Sequence, residues 1–176
     1  MNYSYLIVLL LAFSCGVRAE CQLVTSQQTV TYSPLSAMER QSAGGKTIRL
    51  PEKQLALNVI CDKPQRVRLF FSSSLPRSNI FALGDSGEMK ITAMTARVDD
   101  KEAMLASVSG ANAVLTDSGH QQVDIALNGG IAFLNGDELT GQNISVTLAV
   151  NSEVKSASIT DREKYRGNLQ VKVEAQ

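Results

Sequence analysis

The stretch QLALNVICD, residues Gln54 to Asp62, puts Leu55, Leu57, Val59 and Cys61 on one face of an extended chain and Gln54, Asn58 and Asp62 on the other. Successive side chains of a β-strand point to opposite faces, so this alternation describes a strand with one side in a core and one in solvent. The device recurs along the chain. Val67, Leu69 and Phe71 alternate with Arg66 and Arg68 after Lys63-Pro64, a break that suits a strand connection, and the two segments read as adjacent strands. Val123, Ile125 and Leu127 repeat the pattern, as do Ile144, Val146, Leu148 and Val150, and finally Leu169, Val171 and Val173. Between the runs stand Gly44-Gly45, Asp99-Asp100, Asn128-Gly129-Gly130 and Asn135-Gly136-Asp137, residues that tolerate the positive φ of tight turns. No amphipathic helical stretch competes with them. Short one-sided strands separated by such turns predict an all-β, antiparallel β-sandwich, with residues 33–45 as the most loop-like part.

The amino-terminal 19 residues read differently. Leu6 to Phe13 is an unbroken apolar run followed by Val17-Arg18-Ala19, the pattern of a secretory signal peptide with a small-residue cleavage site, and it is too short to span a bilayer. Residues 20–176 are then expected to form a single exported domain. Cleavage after Ala19 removes Cys15 and leaves Cys21 and Cys61, for which export permits a disulfide. Closing a loop of about 40 residues stabilises a fold by about 4 kcal/mol in the chain-entropy view. Arg18 leaves with the leader, so the 17 acidic residues outnumber the basic ones by one, and no general pull toward nucleic acid is expected. No Trp and 5% aromatic residues leave few stacking platforms for bases or sugars.

Gly84-Asp85-Ser86-Gly87 matches the residues around the nucleophile of chymotrypsin-like proteases. Such a serine needs a base, and the chain holds one histidine, His120, which follows Ser86 where that family places it before. A convergent triad of Ser86, His120 and Asp117 is a distant alternative; a turn between a strand ending near Leu83 and one from Met89 is the expected use of the quartet. Asp99, Asp100 and Glu102 read as a solvated hairpin turn rather than a calcium site, and no cofactor motif is found.

Taken together, the exported chain, the first cysteine on its opening strand, the second at the end of QLALNVICD, the GEMKITAMTARVDD hairpin (Gly87 to Asp100) and the closing strands NISVTLAV and GNLQVKVEA resemble pilus subunits of the chaperone-usher pathway, especially minor or tip-type pilins. The resemblance covers most of residues 20–176. It implies an immunoglobulin-like sandwich lacking its final strand, completed first by a periplasmic pilus chaperone and later by the amino-terminal extension of a neighbouring pilin subunit through donor-strand exchange, with the outer-membrane usher as a further partner. It also implies that Leu169, Val171 and Val173 form the edge these partners pair with, and that the carboxylate of Gln176 anchors basic chaperone residues. Only Glu20 precedes Cys21 after cleavage, so this chain is expected to accept a strand without donating one, at the tip or another chain end, with a host receptor as a further partner. Ala175 departs from the family, where an aromatic often stands next to last. The competing expectation is a self-contained secreted or periplasmic β-sandwich that binds a ligand.

Overall fold

The computed structural model describes residues 20–24, 27–34, 36, 38–39, 47–74, 76–155 and 165–176. The leader expected over residues 1–19 and the Gly44-Gly45 turn lie outside the described residues.

The strands fall into two packed layers, all pairings antiparallel. One layer takes β1 (Cys21–Leu23), the first half of β4 (Lys53–Ser72), β12 (Thr140–Lys155), β7 (Gly87–Val98) and β9 (Gln122–Ile125); β3 (Thr47–Arg49) extends the β4 side of β12. The other takes β2 (Gln27–Tyr32), β13 (Tyr165–Ala175), the second half of β4, β10 (Gly130–Asn135) and β8 (Lys101–Val108), with β11 (Asp137–Glu138) folded back on β10. Along one side β5 (Pro76–Arg77) and β6 (Ile80–Leu83) tie β13 to β7. This division, with the first strand beside β4 in one layer and the last strand beside the continuation of β4 in the other, is that of an immunoglobulin-like β-sandwich.

The alternating residues meet between the layers. Leu57, Val59, Ile91, Ile144, Val146, Leu148 and Val150 come from the first, and Val67, Leu69, Phe71, Leu105, Phe133, Leu169 and Val171 from the second; all are buried in one continuous core. Cys21 and Cys61 are register partners of β1 and β4 and form the disulfide.

The expectation of two adjacent strands meeting at Lys63-Pro64 is corrected: β4 runs without a break from Lys53 to Ser72 and passes from one layer to the other. Its partner β12 skips register between Gly141 and Asn143, so the ladder is interrupted where Pro64, which has no N–H to donate, crosses the gap. The skip is held from the neighbouring hairpin. Asp99 and Asp100 form its two-residue turn, at φ 46° and 64°. The Asp99 carboxylate accepts the N–H groups of Asn143 (2.8 Å) and Gln142 (3.0 Å). The bond from Asn143 above all keeps this carboxyl below its usual pKa. Gly141 must lack a side chain, because a Cβ there would run into Val98 Cγ1.

A second, smaller core lies on the outer face of the second layer. Ala106, Val108, Ala132 and Leu134 are buried there with Phe70, Met104 and Leu115 packed against them. The segment 109–119 crosses this face as a strap. Arg68, placed by its alternation on a solvent face, is instead 6% exposed beneath the strap.

Candidate functional site: the edge of the last strand

Gln176 exchanges both backbone hydrogen bonds with Arg66, at 2.9 and 3.0 Å. In an antiparallel ladder such pairs recur at every second residue, so Gln170, Lys172, Glu174 and Gln176 turn their N–H and C=O groups toward β4. By the same parity Tyr165, Gly167, Leu169, Val171, Val173 and Ala175 turn theirs to the opposite edge. Arg166, which belongs to the first set, accordingly accepts the Gly84 N–H on the β6 side.

The opposite edge is half covered. Among the described residues β2 pairs with Tyr165 through Gln170. Continued in that register, Leu23 would stand opposite Glu174, but β1 has crossed to the first layer and pairs Leu23 with Val59 instead. Among the described residues no strand is paired to the outward edge of Val171, Val173 and Ala175. Their side chains tell the same story. Leu169 is fully buried and Val171 is 5% exposed, whereas Val173 is only partly buried against the core. Of the edge residues expected from sequence, Leu169 is thus paired with Gln28 of β2, while Val171 and Val173 lie beyond the end of β2. Gln176 is exposed; its side chain accepts from Arg66 (3.3 Å) and donates to the Ala111 carbonyl (2.8 Å) and Asn112 Oδ1 (3.0 Å), which ties the end of β13 to the strap.

The strap itself is fixed by Arg68. Its guanidinium makes a two-pronged pair with Glu138, at 2.7 and 2.9 Å, and donates to the carbonyls of Gly110, Ala111 and Ala113 at 2.8 to 3.1 Å. The hydrogen bond to Glu138 raises the guanidinium pKa further, so Arg68 stays charged.

The GDSG quartet is the turn between β6 and β7, with Leu83 opposite Gly87 and Gly84 at φ 56°. The Arg77 side chain donates to the Asp85 and Gly87 carbonyls and braces it. The residues of the hydrolase alternative are not assembled. Asp117 and His120 pair at 3.1 Å, but Gln122 lies opposite Met94, which sets His120 near the far end of β7 from Ser86. About ten residues of extended strand separate the two, roughly 30 Å. Ser86 Oγ is buried and has no hydrogen-bond partner among the described residues. Ser86→Ala should therefore leave stability unchanged or raise it by up to about 1 kcal/mol, measured by urea denaturation, and serine-directed phosphonates should label neither protein.

One pair of like charges sits beside this turn. Glu88 and Glu153 are register partners on β7 and β12. A hydrogen bond to Glu153, then partial burial and repulsion by the same carboxylate, raise the Glu88 pKa against the offsetting charges of Lys155 and Arg77. A carboxyl raised on folding stabilises below its unfolded value, near 4.3, and that contribution is lost as pH rises through the folded value. Glu88→Gln is expected to stabilise the fold at pH 7 by about 0.5 kcal/mol after solvent screening, and to give no gain at pH 3. Urea denaturation at the two pH values measures the difference.

The geometry defines an immunoglobulin-like all-β sandwich with the Cys21–Cys61 disulfide and a last strand whose outward edge is, among the described residues, paired over Tyr165 to Gln170 alone. No protein-family model matches the chain. Over 172 residues it is 31% identical to YhcE of Escherichia coli (strain K12), an uncharacterized protein, with 95% of each chain covered. The chain belongs to the same family as YhcE.

Proposed function

We propose that the protein is a structural or adhesive subunit of a bacterial surface fimbria that accepts a strand from a partner along β13. The carrying observation is the edge beyond Gln170, where Val171, Val173 and Ala175 point backbone donors and acceptors away from β4 with no strand paired beside them among the described residues. An uncovered edge over a partly exposed core is a template for an added strand, and an added strand gains main-chain hydrogen bonds and apolar burial together. The partners that fit are an exported pilus chaperone that supplies such a strand in transit, the outer-membrane usher, and a neighbouring subunit that supplies it in the fibre.

Incubation with a fluorescein-labelled twelve-residue peptide of alternating valine and threonine flanked by lysines tests the reading. A one-to-one complex by native mass spectrometry is expected, with a higher melting temperature. Absence of any complex at a hundredfold peptide excess would contradict it. In place of a partner strand, the self-contained binding-module reading requires a soluble monomer whose melting temperature the peptide does not change.

A further inference from the structure

β2 stands on the edge that an incoming strand needs. It pairs with β13 from Tyr165 to Gln170, and Gln28, Val30 and Tyr32 sit opposite Leu169, Gly167 and Tyr165, the residues whose backbone groups face outward. No other described strand pairs with β2, so its ladder is one-sided. Two of its side chains, Val30 and Tyr32, enter the core, while Thr29 is exposed.

Among the described residues two side-chain attachments hold it besides. The Tyr32 hydroxyl donates to Ser152 Oγ at 3.1 Å in a buried contact. Lys53 Nζ donates to the Thr31 carbonyl at 2.7 Å and lies 4.9 Å from the centre of the Tyr32 ring. An edge strand with one ladder and two buried side chains opens at a fraction of the cost of global unfolding.

We propose that β2 is a placeholder: the chain's own strand holds the Tyr165–Gln170 half of the edge shut and is displaced when an extended segment of a second polypeptide pairs along the whole of β13. This rests on the strand-acceptor reading. The half with no strand paired beside it among the described residues, Val171 to Ala175, is where that segment first pairs, and growth of the ladder toward Tyr165 then removes β2. The partner has an apolar side chain at every second position, because an inserted strand shares the inward face of Leu169, Val171 and Val173. Displacement also sets selectivity. A short or weakly apolar segment gains the open half alone, whereas a segment long enough to line all of β13 replaces the contacts of Val30 and Tyr32.

A reversible lock tests this directly. Thr29 and Asn168 are register partners on the β2–β13 ladder, at a position where the backbone groups of Asn168 turn to the other side. Such pairs bring Cα atoms to about 4.5 Å, within disulfide range. The Thr29→Cys/Asn168→Cys chain, oxidised and mapped by mass spectrometry, is compared with the two single variants capped by iodoacetamide, using the labelled valine–threonine peptide and fluorescence anisotropy. The locked chain is expected to take up peptide at least tenfold more slowly than the capped singles. Tyr32→Phe, which removes the Ser152 bond, is expected to take it up severalfold faster than the unmodified chain. Equal uptake by locked and capped forms would overturn the placeholder and leave the strand-acceptor reading standing. No uptake by the unmodified chain would overturn both.

Discussion

Arg68→Ala is expected to lower the stability of the fold by about 3–5 kcal/mol, measured by urea denaturation at pH 7. The side chain is buried, and it satisfies a carboxylate and three carbonyls at once: Glu138, Gly110, Ala111 and Ala113. Truncation leaves Glu138 only a longer contact with Arg66 (3.9 Å), takes a donor from each of the three carbonyls, of which Ala111 keeps Gln176 and Gly110 keeps the Ala113 N–H, and frees the strap from the small outer core that Leu115 helps to cover. Two further variants separate the contributions. Arg68→Met with Glu138→Leu removes both charges and should recover the part due to the carboxylate that has lost its fork, while remaining below the unmodified chain by about 1–3 kcal/mol for the donors lost to the strap carbonyls, the Ala113 carbonyl above all. Arg68→Lys should recover little, because an ammonium cannot span the two carboxylate oxygens and the carbonyls together. Recovery by lysine to within about 0.5 kcal/mol of the unmodified chain would show that charge alone, without the planar fork, holds the strap.

The disulfide carries the second large effect. Cys21 and Cys61 are 40 residues apart in sequence and directly opposite in the β1–β4 ladder. Cys21→Ser/Cys61→Ser should cost about 4 kcal/mol, a drop in melting temperature of roughly 10 °C. The loss has a local side. β1 has three ladder residues, and its crossing to the first layer takes Leu23 away from Glu174, so that among the described residues no strand pairs with the second half of β13 on that edge. Without the disulfide β1 is free to shift toward β13, so the double variant should also bind the valine–threonine peptide more weakly. Loss of stability with unchanged peptide affinity would separate the two roles and show that the disulfide has no part in keeping the edge open.

Much of the architecture follows from alternation. Leu55 to Cys61, Ile144 to Val150 and Leu169 to Val173 needed only a period of two and one buried face, and all supply the core. Turn chemistry was equally direct at Asp99-Asp100, where two positive φ values are required. Lys63-Pro64 misled because a proline ends most ladders; here it sits in a register skip that depends on Gly141 and Asp99, residues far along the chain. Arg68 misled because alternation reports which side a residue faces, and not what else covers that side. The clue lay in its partners: Met104-Leu105-Ala106 and Ile131 to Leu134 are apolar at consecutive positions, as strands covered on both faces are. The β2–β13 pairing was not legible at all. QQTVTY is mostly polar, and which edge it joins depends on where β1 leaves the ladder.

The central claim is that Val171, Val173 and Ala175 present an uncovered backbone edge. Residue-resolved amide hydrogen exchange, with and without the valine–threonine peptide, measures it most directly. The outward amides of Val171 and Val173 should exchange orders of magnitude faster than those of Lys172 and Glu174, which face β4, and should become protected when the peptide binds. Equal protection of all four amides in the free chain, unchanged by peptide, would contradict the account.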